Sequence, residues 1–524
     1  MKNFFYFIVL ITALLLSNFS VLLAENMGTI QVSGIGKDTY YVYNSDGTCI
    51  FSSKTNKAVD VESGEYTLKL NNSSQTTSVQ SGKKVTIHSG VLHVKGVGKA
   101  NFYVYDLDGN TLAGTRINNE LEFFSGEYLV NVNNSKESAY VKSSEKKTLQ
   151  TGSLSVEGIG KANFYVYDLD GNTLAGTRIN NELEFFPGEY LVNVNNTKES
   201  SYVKASEKKI LQTGSLSVEG VGKANFYVYD LDGNTLAGTR INNELEFFPG
   251  EYLVNVNNSK ESAYVKSNEK EILQTGSLSV EGVGNANFYV YDLEGKTLAG
   301  TRINNELEFF PGEYLVNVNN TKKTANVKSN EKETLQTGSL SVVGIGKANF
   351  YVYDLEGNTL AGTRVNNELE FFPGKYVVNV NNSQESTNIT AGKKQILETG
   401  SIYVSGSIQG TFVVYSTTGE TLVSSRTNNE LEFFPNRYEV KLNELSHIVF
   451  VKAGQKSIID FETRTPVLTG CLNHKTEPVK DGKAMLIQSG EIFQSVPLDI
   501  NGCYKFYQLN EKIPYSVMIR IKND

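Results

Sequence analysis

A glycine recurs at one fixed interval along most of the chain and divides it into seven copies of the same unit. The glycines are Gly28, Gly90, Gly152, Gly214, Gly276, Gly338 and Gly400, and every step equals the one from Gly28 to Gly90. The copies, called repeats 1 to 7, span 27–88, 89–150, 151–212, 213–274, 275–336, 337–398 and 399–460. Because nothing is inserted between copies, neighbours must meet through two or three residues. The sequence predicts a tandem array followed by a different domain over 461–524.

Each repeat has the pattern of an all-β unit. In repeat 3, short segments that are rich in apolar and β-branched residues are separated by Gly, Asn or Pro-Gly signals. The predicted strands are 153–157, 163–169, 172–179, 182–186, 190–194, 201–204 and 209–212. Tyr66, Tyr190 and Tyr438 share one register, and we expect buried rings with bonded hydroxyls there. We therefore predict an array of small antiparallel β-sandwiches, like beads on a rod.

The size of the repeat bears on how the copies are arranged. A unit as short as 151–212 buries a small core and would be marginal alone, so we expect end-to-end contacts to add stability. Strands of about six or seven residues span roughly 20–25 Å, and seven repeats stacked lengthwise would reach roughly 150–200 Å.

The Asp168-Leu-Asp-Gly-Asn172 segment could form either a calcium loop or a hairpin turn. Carboxylates at alternate positions suit calcium, but the bidentate Glu that closes such a loop is missing. The segment changes to Asn44-Ser-Asp-Gly-Thr48 in repeat 1, Asp292-Leu-Glu-Gly-Lys296 in repeat 5 and Ser416-Thr-Thr-Gly-Glu420 in repeat 7, whereas the glycine is present in all seven. We therefore predict hairpin turns with positive φ at Gly47, Gly109, Gly171, Gly233, Gly295, Gly357 and Gly419.

No recognisable catalytic constellation is present in the sequence. Gly158-Ile-Gly160 could suggest a phosphate loop, but it lacks a following helix and a P-loop lysine, so we predict a turn. The four histidines, His88, His93, His447 and His474, do not have metal-ligand spacing. No serine, cysteine or carboxylate pair recurs with a base. We expect neither enzymatic activity nor a cofactor or metal.

The three cysteines are Cys49, Cys471 and Cys503. An exported protein can form disulfides. Cys471 and Cys503 could pair and leave Cys49 free, but spacing alone leaves that pairing open.

The N-terminal segment 1–24 has the features of a secretory signal peptide. Lys2 precedes a nearly unbroken apolar run from Phe4 to Leu16. Val21-Leu-Leu-Ala24 then leads into Glu25, with the small Ala24 at the expected cleavage point. The alternative is an uncleaved membrane anchor, because the apolar stretch is almost long enough to span a bilayer. No second apolar segment follows. We expect a secreted, cell-surface or periplasmic protein with no membrane span once the segment is removed.

The charge distribution bears on the partners. The chain carries 49 basic and 57 acidic residues, for a net charge of −8, and forms no basic stripe. Binding to nucleic acid is therefore not expected. Asn195-Asn-Thr197 and its counterparts match the glycosylation sequon. They are decorated surface turns if the host is eukaryotic, and plain turn formers if it is bacterial.

Three segments of the repeat resemble PEGA-type modules, which are short bacterial β-sandwiches of exported proteins. They are Gly152-Ser-Leu-Ser-Val156, Phe164-Tyr-Val-Tyr-Asp168 and Phe186-Pro-Gly-Glu-Tyr-Leu-Val192. The repeat is shorter than the family module, and Gly158-Ile-Gly160 replaces its Pro-rich segment. The resemblance covers about three quarters of the chain.

The last domain resembles the carboxypeptidase regulatory-like domain, a prealbumin-type sandwich. The match rests on Gly470-Cys-Leu-Asn-His-Lys475, Lys483-Ala-Met-Leu-Ile487 and Asp499-Ile-Asn-Gly-Cys-Tyr-Lys-Phe506. That resemblance implies a structural or binding appendage without catalytic residues of its own.

The repeats favour a non-catalytic structural role. The leading hypothesis is an exported spacer rod of the cell envelope or surface, with the last domain as a cap. The alternatives are a repetitive adhesin or carbohydrate-binding array that acts by avidity, and an accessory subunit of an envelope enzyme. The expected partner is a protein or glycan at the cell surface.

Overall fold

The computed structural model describes residues 26–406, 410–461, 468–474, 477–506 and 514–521. These residues form strands and turns, with no helix among them. The predicted all-β tandem fold is confirmed.

Seven strands recur in each repeat, and one strand serves both repeat 1 and repeat 2. Repeat 1 contains β1 (Met27–Ser33), β2 (Thr39–Tyr43), β3 (Cys49–Lys54), β4 (Ala58–Glu62), β5 (Gly64–Leu70), β6 (Ser73–Val79) and β7 (Lys84–Lys95). Repeat 2 continues with β8 (Asn101–Tyr105), β9 (Thr111–Arg116), β10 (Glu120–Phe124), β11 (Gly126–Val132), β12 (Ser135–Val141) and β13 (Lys146–Gln150). Repeat 3 contains β14 (Gly152–Glu157), β15 (Asn163–Tyr167), β16 (Thr173–Arg178), β17 (Glu182–Phe185), β18 (Gly188–Val194), β19 (Thr197–Val203) and β20 (Lys208–Gln212).

The remaining repeats have the same strands at the same offsets. Repeat 4 contains β21 (Gly214–Glu219), β22 (Asn225–Tyr229), β23 (Thr235–Arg240), β24 (Glu244–Phe247), β25 (Gly250–Val256), β26 (Ser259–Val265) and β27 (Lys270–Gln274). Repeat 5 contains β28 (Gly276–Glu281), β29 (Asn287–Tyr291), β30 (Thr297–Arg302), β31 (Glu306–Phe309), β32 (Gly312–Val318), β33 (Thr321–Val327) and β34 (Lys332–Gln336). Repeat 6 contains β35 (Gly338–Val343), β36 (Asn349–Tyr353), β37 (Thr359–Arg364), β38 (Glu368–Phe371), β39 (Gly374–Val380), β40 (Ser383–Ile389) and β41 (Lys394–Glu398). Repeat 7 contains β42 (Gly400–Ser405), β43 (Thr411–Tyr415), β44 (Thr421–Arg426), β45 (Glu430–Phe433), β46 (Asn436–Leu442), β47 (Leu445–Val451) and β48 (Lys456–Asp460).

Each repeat is a sandwich of two sheets. In repeat 3 a three-stranded sheet has the order β17-β14-β20, and a four-stranded sheet has the order β16-β15-β18-β19. The inward side chains of both sheets, such as Leu154, Val156, Phe164 and Val192, are fully buried. Alternation along each strand therefore separates the core face from the solvent face, as the sequence pattern predicted.

The sheets are antiparallel except at one strand pair, because the first and last strands of a repeat run parallel to each other. In repeat 3, β14 pairs with β20 in parallel from Ser153↔Lys208 to Glu157↔Gln212. The pairing joins the two ends of the repeat, and no local signal in the sequence specifies such a contact.

One hairpin begins earlier than the sequence predicted. The strand expected over 201–204 is β19, which starts at Thr197. Asn195 and Asn196 form a two-residue loop with φ of 46° and 64°. Two consecutive positive φ values define the turn type that matches the twist of paired strands, and Asn tolerates them.

The described residues divide into two compact units. The first runs up to Glu219 and includes Asn225–Asn255 and Lys260–Leu273. The second contains Gly220–Ala224, Val256–Ser259 and the described residues from Gln274 onward.

The last domain continues a sheet of repeat 7. Its strands are β49 (Leu468–Cys471), β50 (Asn473–His474), β51 (Glu477–Pro478), β52 (Gly482–Gln488), β53 (Glu491–Pro497), β54 (Cys503–Phe506) and β55 (Tyr515–Ile521). The combined sheet has the order β44-β43-β46-β47-β53-β52-β55. A small core of its own contains Ala484, Leu486 and Phe506.

Candidate functional site: the junctions between repeats

The glycine hairpins are turns whose acidic side chain is already hydrogen-bonded. All seven predicted glycines have φ between 75° and 87°. Asp168 accepts hydrogen bonds from the backbone and side-chain nitrogens of Asn172, at 2.7 and 2.9 Å. These hydrogen bonds hold the pKa of Asp168 below its usual value, and the one from the Asn172 side chain has the largest effect. In the part of the chain that the structure describes, no group of three or more His, Cys, Asp and Glu could hold a metal ion.

The Gly-x-Gly turn of repeats 1 to 6 holds a carboxylate of the next repeat. At the junction of repeats 3 and 4, the Gly160 N–H donates to Oε1 of Glu246. A Cβ on Gly160 would lie 2.6 Å from that oxygen, and one on Gly158 would lie 2.8 Å from Oε2. Glycine is therefore required because the backbone must approach the carboxylate closely. The predicted turn therefore also binds an anion, and we call its two glycines the cradle. The anion is a glutamate carboxylate of the same chain.

This glutamate is deeply buried wherever it occurs. Its exposed fraction is 1% at Glu122, Glu184, Glu246, Glu308, Glu370 and Glu432. Burying an ionised carboxylate is unfavourable unless hydrogen bonds compensate. At the junction of repeats 1 and 2 they do, since Ser89 donates to Glu122 Oε1 at 2.6 Å and Thr55 donates to Oε2 at 3.0 Å. Burial raises the pKa of Glu308, the corresponding carboxyl of repeat 5.

The two-asparagine hairpin of each repeat reaches into the following repeat. Asn195 Nδ2 donates to the Glu246 carbonyl at 3.0 Å, and Asn196 Nδ2 donates to the Leu236 carbonyl at 2.7 Å. Corresponding pairs join repeats 1 and 2, 2 and 3, 5 and 6, and 6 and 7. The first asparagine of the sequon is therefore engaged in the junction through its amide nitrogen.

At the junctions of repeats 1 and 2, 2 and 3, 3 and 4, 5 and 6, and 6 and 7, a phenylalanine of the later repeat completes the core of the earlier one. Phe186 belongs to repeat 3 but packs in the core of repeat 2, whereas its neighbour Phe185 packs in the core of repeat 3. Likewise, Phe124 of repeat 2 packs in the core of repeat 1. Tyr190 holds this chain segment, since its buried hydroxyl donates to the Phe186 carbonyl at 2.6 Å. The predicted buried tyrosine thus has a bonded hydroxyl.

The end repeats lack the junction residues on their outer faces. Repeat 1 has Asp60 and Glu62 where later repeats have the buried Glu and the inserted Phe, and both are exposed. Repeat 7 has Ile408 in place of the second cradle glycine and Glu444 in place of the second hairpin asparagine. Residues 407–409 lie outside the described part of the chain. Repeat 7 packs Phe461 against its core instead of a phenylalanine from a following repeat.

The last domain docks on repeat 7 through the edge of a sheet. β47 pairs with β53 at Ser446↔Ser495 and His447↔Gln494. Arg437 forms an ion pair with Glu491 at 3.2 Å and donates to the Ile492 carbonyl at 2.8 Å. Burial lowers the pKa of His447 to about 4.

The cysteines take two different states. Cys471 and Cys503 form a disulfide between β49 and β54. Cys49 is free and exposed. The sequence left the pairing of Cys471 with Cys503 open, and the structure contains it. The disulfide lies in the last domain, whose core is small.

The four-stranded sheet of each middle repeat presents a tyrosine ring on its outer face. Tyr165, 43% exposed, covers Gly176 on the neighbouring strand, and a Cβ at Gly176 would lie 2.5 Å from the ring. The same pairing occurs at Tyr103–Gly114, Tyr227–Gly238, Tyr289–Gly300 and Tyr351–Gly362. Repeat 7 has Val413 opposite Ser424 instead.

Comparison with known proteins identifies no family. No family model and no curated protein matches the chain. Among solved structures, the Bacillus anthracis TIE protein is similar over 70% of this chain and 72% of its own, at 14% identity and a TM-score of 0.12. BcpA, the major pilin subunit of Bacillus cereus, is similar over 67% and 95%, at 10% identity and 0.12. The open form of the pilus adhesin SpaC from Lactobacillus rhamnosus GG is similar over 83% and 56%, at 9% identity and 0.11.

These similarities carry no argument about function, because TM-scores near 0.1 indicate no common arrangement over the aligned length. The resemblances to PEGA-type modules and to carboxypeptidase regulatory-like domains stay predictions. The predicted signal peptide, 1–24, lies outside the described residues. Within those residues, no helix is long and apolar enough to cross a membrane.

Proposed function

We propose that this protein is a non-catalytic spacer array, exported to the cell surface, the periplasm or the medium, whose repeats supply length. The observation that carries the proposal is the recurring junction, in which a buried Glu and a buried Phe of one repeat are seated in the preceding repeat. Such contacts restrict motion between neighbours and give each repeat part of its stability. The last domain closes the array.

The strand register gives the length that one repeat contributes. Thr29 of repeat 1 lies opposite Lys84 of β7, and the residue equivalent to Thr29 in repeat 2 is Val91 on that same strand. The step from Lys84 to Val91 is extended chain, so one repeat advances by about 23 Å.

Deletion of whole repeats tests this proposal. Removing 151–212 joins Gln150 to Thr213 and places Glu246 opposite Gly96 and Gly98, so every junction contact is retained. We expect small-angle X-ray scattering of the secreted chain to show a maximum dimension shorter by about 23 Å, and by about 46 Å when 151–274 is removed. A maximum dimension that does not fall in proportion to the number of repeats would contradict the spacer role. Fractionation of the host cell tests the proposed location.

The recurring acidic residues support the non-catalytic part of the proposal. Glu246 and its counterparts are buried ligands of a neighbouring backbone rather than groups that face a substrate cleft. Asp168 and its counterparts are bonded within their own turns. The acidic residues that recur at these two places thus have structural partners.

A second candidate function, a carbohydrate-binding array, is favoured by the tyrosine faces. The Tyr165 ring lies over Gly176, which leaves its other face open for an apolar sugar face to stack, and Asn193 lies opposite Tyr165 in the sheet. Five weak sites on one chain would bind a polymer by avidity.

Replacement of the five tyrosines by Val tests this second function, since Val413 occupies that position in repeat 7. On a glycan array, we expect binding by the natural chain and its loss in the variant. Scattering dimensions should remain unchanged. Equal signals from both chains, or no signal from the natural chain, would remove this candidate and leave the spacer proposal intact.

A further inference from the structure

The path of the chain through each repeat determines how the repeat responds when its ends are pulled. The chain enters repeat 3 at the start of β14 and leaves at the end of β20, and these two strands are parallel neighbours. Tension along the chain therefore draws β14 and β20 in opposite directions along their common axis. All five register pairs between Ser153↔Lys208 and Glu157↔Gln212 are loaded together, in shear.

The hydrogen bonds at the two ends of this strand pair extend the loaded region. Ser206 donates to the Thr151 carbonyl at 2.8 Å, and Ser153 donates to the Glu207 carbonyl at 2.9 Å. At the other end, Thr213 donates to the Glu157 carbonyl at 2.9 Å. Thr151, the first residue of repeat 3, and Thr213, the first residue after it, are thus both bonded across the same pair of strands. No slack chain lies between the entry point and the clamp.

Successive clamps are joined directly. β7 runs without interruption from Lys84 to Lys95, so its first half is the last strand of repeat 1 and its second half is the first strand of repeat 2. Only Thr213, which is fully buried, separates β20 from β21. Force that leaves one pair of parallel strands therefore enters the next through one or two residues.

Charged side chains cover the clamp on its solvent side. Lys208 on β20 lies 3.6 Å from Glu157 on β14 and 3.6 Å from Glu182 on β17. Exposed ion pairs of this kind add little to the stability at rest. They do join the two strands of the clamp, β14 and β20, to each other and to the neighbouring strand β17.

From this geometry we propose a function beyond spacing: the array bears tension, and each repeat resists extension through a shear clamp made of its first and last strands. The remaining strands of the repeat lie within the loop that the clamp closes, so they carry load only after it fails. A repeat that fails releases its chain and adds length before the next repeat fails.

Pulling single molecules from both termini tests this proposal on the full secreted chain. Unfolding one repeat, such as 151–212, should lengthen the chain by roughly 180–200 Å, which is the extended contour minus the folded advance. The comparison is a chain pulled through cysteines at Glu189 and Tyr202, which face each other at the open end of the β18–β19 hairpin and are both exposed, with Cys49→Ser in both chains. Pulling between these two positions breaks the residue pairs of the β18–β19 hairpin one after another. We expect the terminal geometry to need the larger force, because its strand pairs must break together.

A matched pair of proline variants tests the clamp itself. The bond from Thr213 to Glu157 and the alternation of a parallel ladder assign the Lys209 N–H to β14, whereas the Ile210 N–H faces away from it. We expect Lys209→Pro to lower the force of one unfolding event and Ile210→Pro to leave all events unchanged. If repeat 3 fails to fold in a variant, the trace has one event fewer, and the comparison of pulling geometries still decides the question.

The proposal is overturned if both geometries give equal force, or if both prolines weaken one event equally. Such a result would leave the spacer proposal standing, since that proposal depends on the scattering dimensions of the unstretched chain.

Discussion

Adjacent phenylalanines of repeat 2 should stabilise two different repeats. Phe123 packs in the core of repeat 2 and is fully buried, whereas Phe124 packs in the core of repeat 1 and is 3% exposed. Each side chain buries about 150–250 Å², which corresponds to about 4–6 kcal/mol of transfer free energy. Phe→Ala truncations in protein cores cost about 3–5 kcal/mol. We therefore expect Phe124→Ala to destabilise repeat 1 by about 3–5 kcal/mol, although the residue lies outside that repeat in sequence.

Hydrogen exchange with mass spectrometry separates the two effects, because repeat 1 differs enough from the others to give distinct peptides. A loss of about 3–5 kcal/mol should speed exchange in the core strands of repeat 1 by about 10²- to 10³-fold or more. Phe123→Ala serves as the matched control and should speed exchange mainly in repeat 2. Faster exchange confined to repeat 2 in both variants would refute the assignment of Phe124 to the preceding core.

Three further predictions concern the cradle, the disulfide and the docking of the last domain. Gly36→Ala should destabilise repeat 1 by about 1–3 kcal/mol, because its Cβ would lie 2.5 Å from Cδ of Glu122. Denaturant titration of a double-mutant cycle with Glu122→Ala should show that this cost falls sharply once the carboxylate is absent, and additive costs would contradict the cradle. Cys503→Ser should cost the last domain about 2–4 kcal/mol by opening the loop between the paired cysteines, whose sequence separation is 32, whereas Cys49→Ser should leave the unfolding curve unchanged. The pKa of His447 lies at about 4 in the folded chain and at 6.5 in the unfolded one, so its stabilising effect is present above pH 6.5 and is lost as the pH falls towards 4. Repeat 7 and the last domain docked on it should therefore lose about 2 kcal/mol of unfolding free energy between pH 7.5 and 5, and His447→Gln should remove that dependence in urea titrations at the two pH values.

The strands could be predicted from the sequence because their signals are local. Alternation in 153–157 and the turn at Gly171 depend on residues next to each other in the chain. The early start of β19 does not follow from the sequence, because Asn195 and Asn196 indicate a turn without specifying a two-residue hairpin. The parallel pairing of β14 with β20 has no local signal, since it is a contact across the whole repeat.

The junction could have been found from the sequence through a comparison of inner and outer copies. Glu184-Phe-Phe186 interrupts strict alternation with a second aromatic residue, which a strand of one sandwich does not require. In repeat 1 the same positions are Asp60-Val-Glu62, which keep the inward residue and replace the other two by exposed acids. The alternation alone favours a solvent-facing position for the glutamate, because acidic residues are usually exposed. Its burial depends on a turn in another repeat, which the sequence of one copy does not reveal.

The two end repeats have diverged on opposite faces, and this asymmetry identifies what constrains the junction residues. Repeat 1 keeps the cradle glycines Gly34 and Gly36, which receive Glu122, but has lost the inserted Phe on the face that no repeat precedes. Repeat 7 keeps Glu432 and Phe434, which enter repeat 6, but has lost the second cradle glycine on the face that no repeat follows. Divergence without regard to the junction would have altered both faces of both copies. The junction residues are therefore required by the neighbouring repeat and not by the sandwich itself. Inner repeats can be added or removed because they carry both sets of junction residues. An end repeat lacks one set, so it cannot take an inner position without loss of stability.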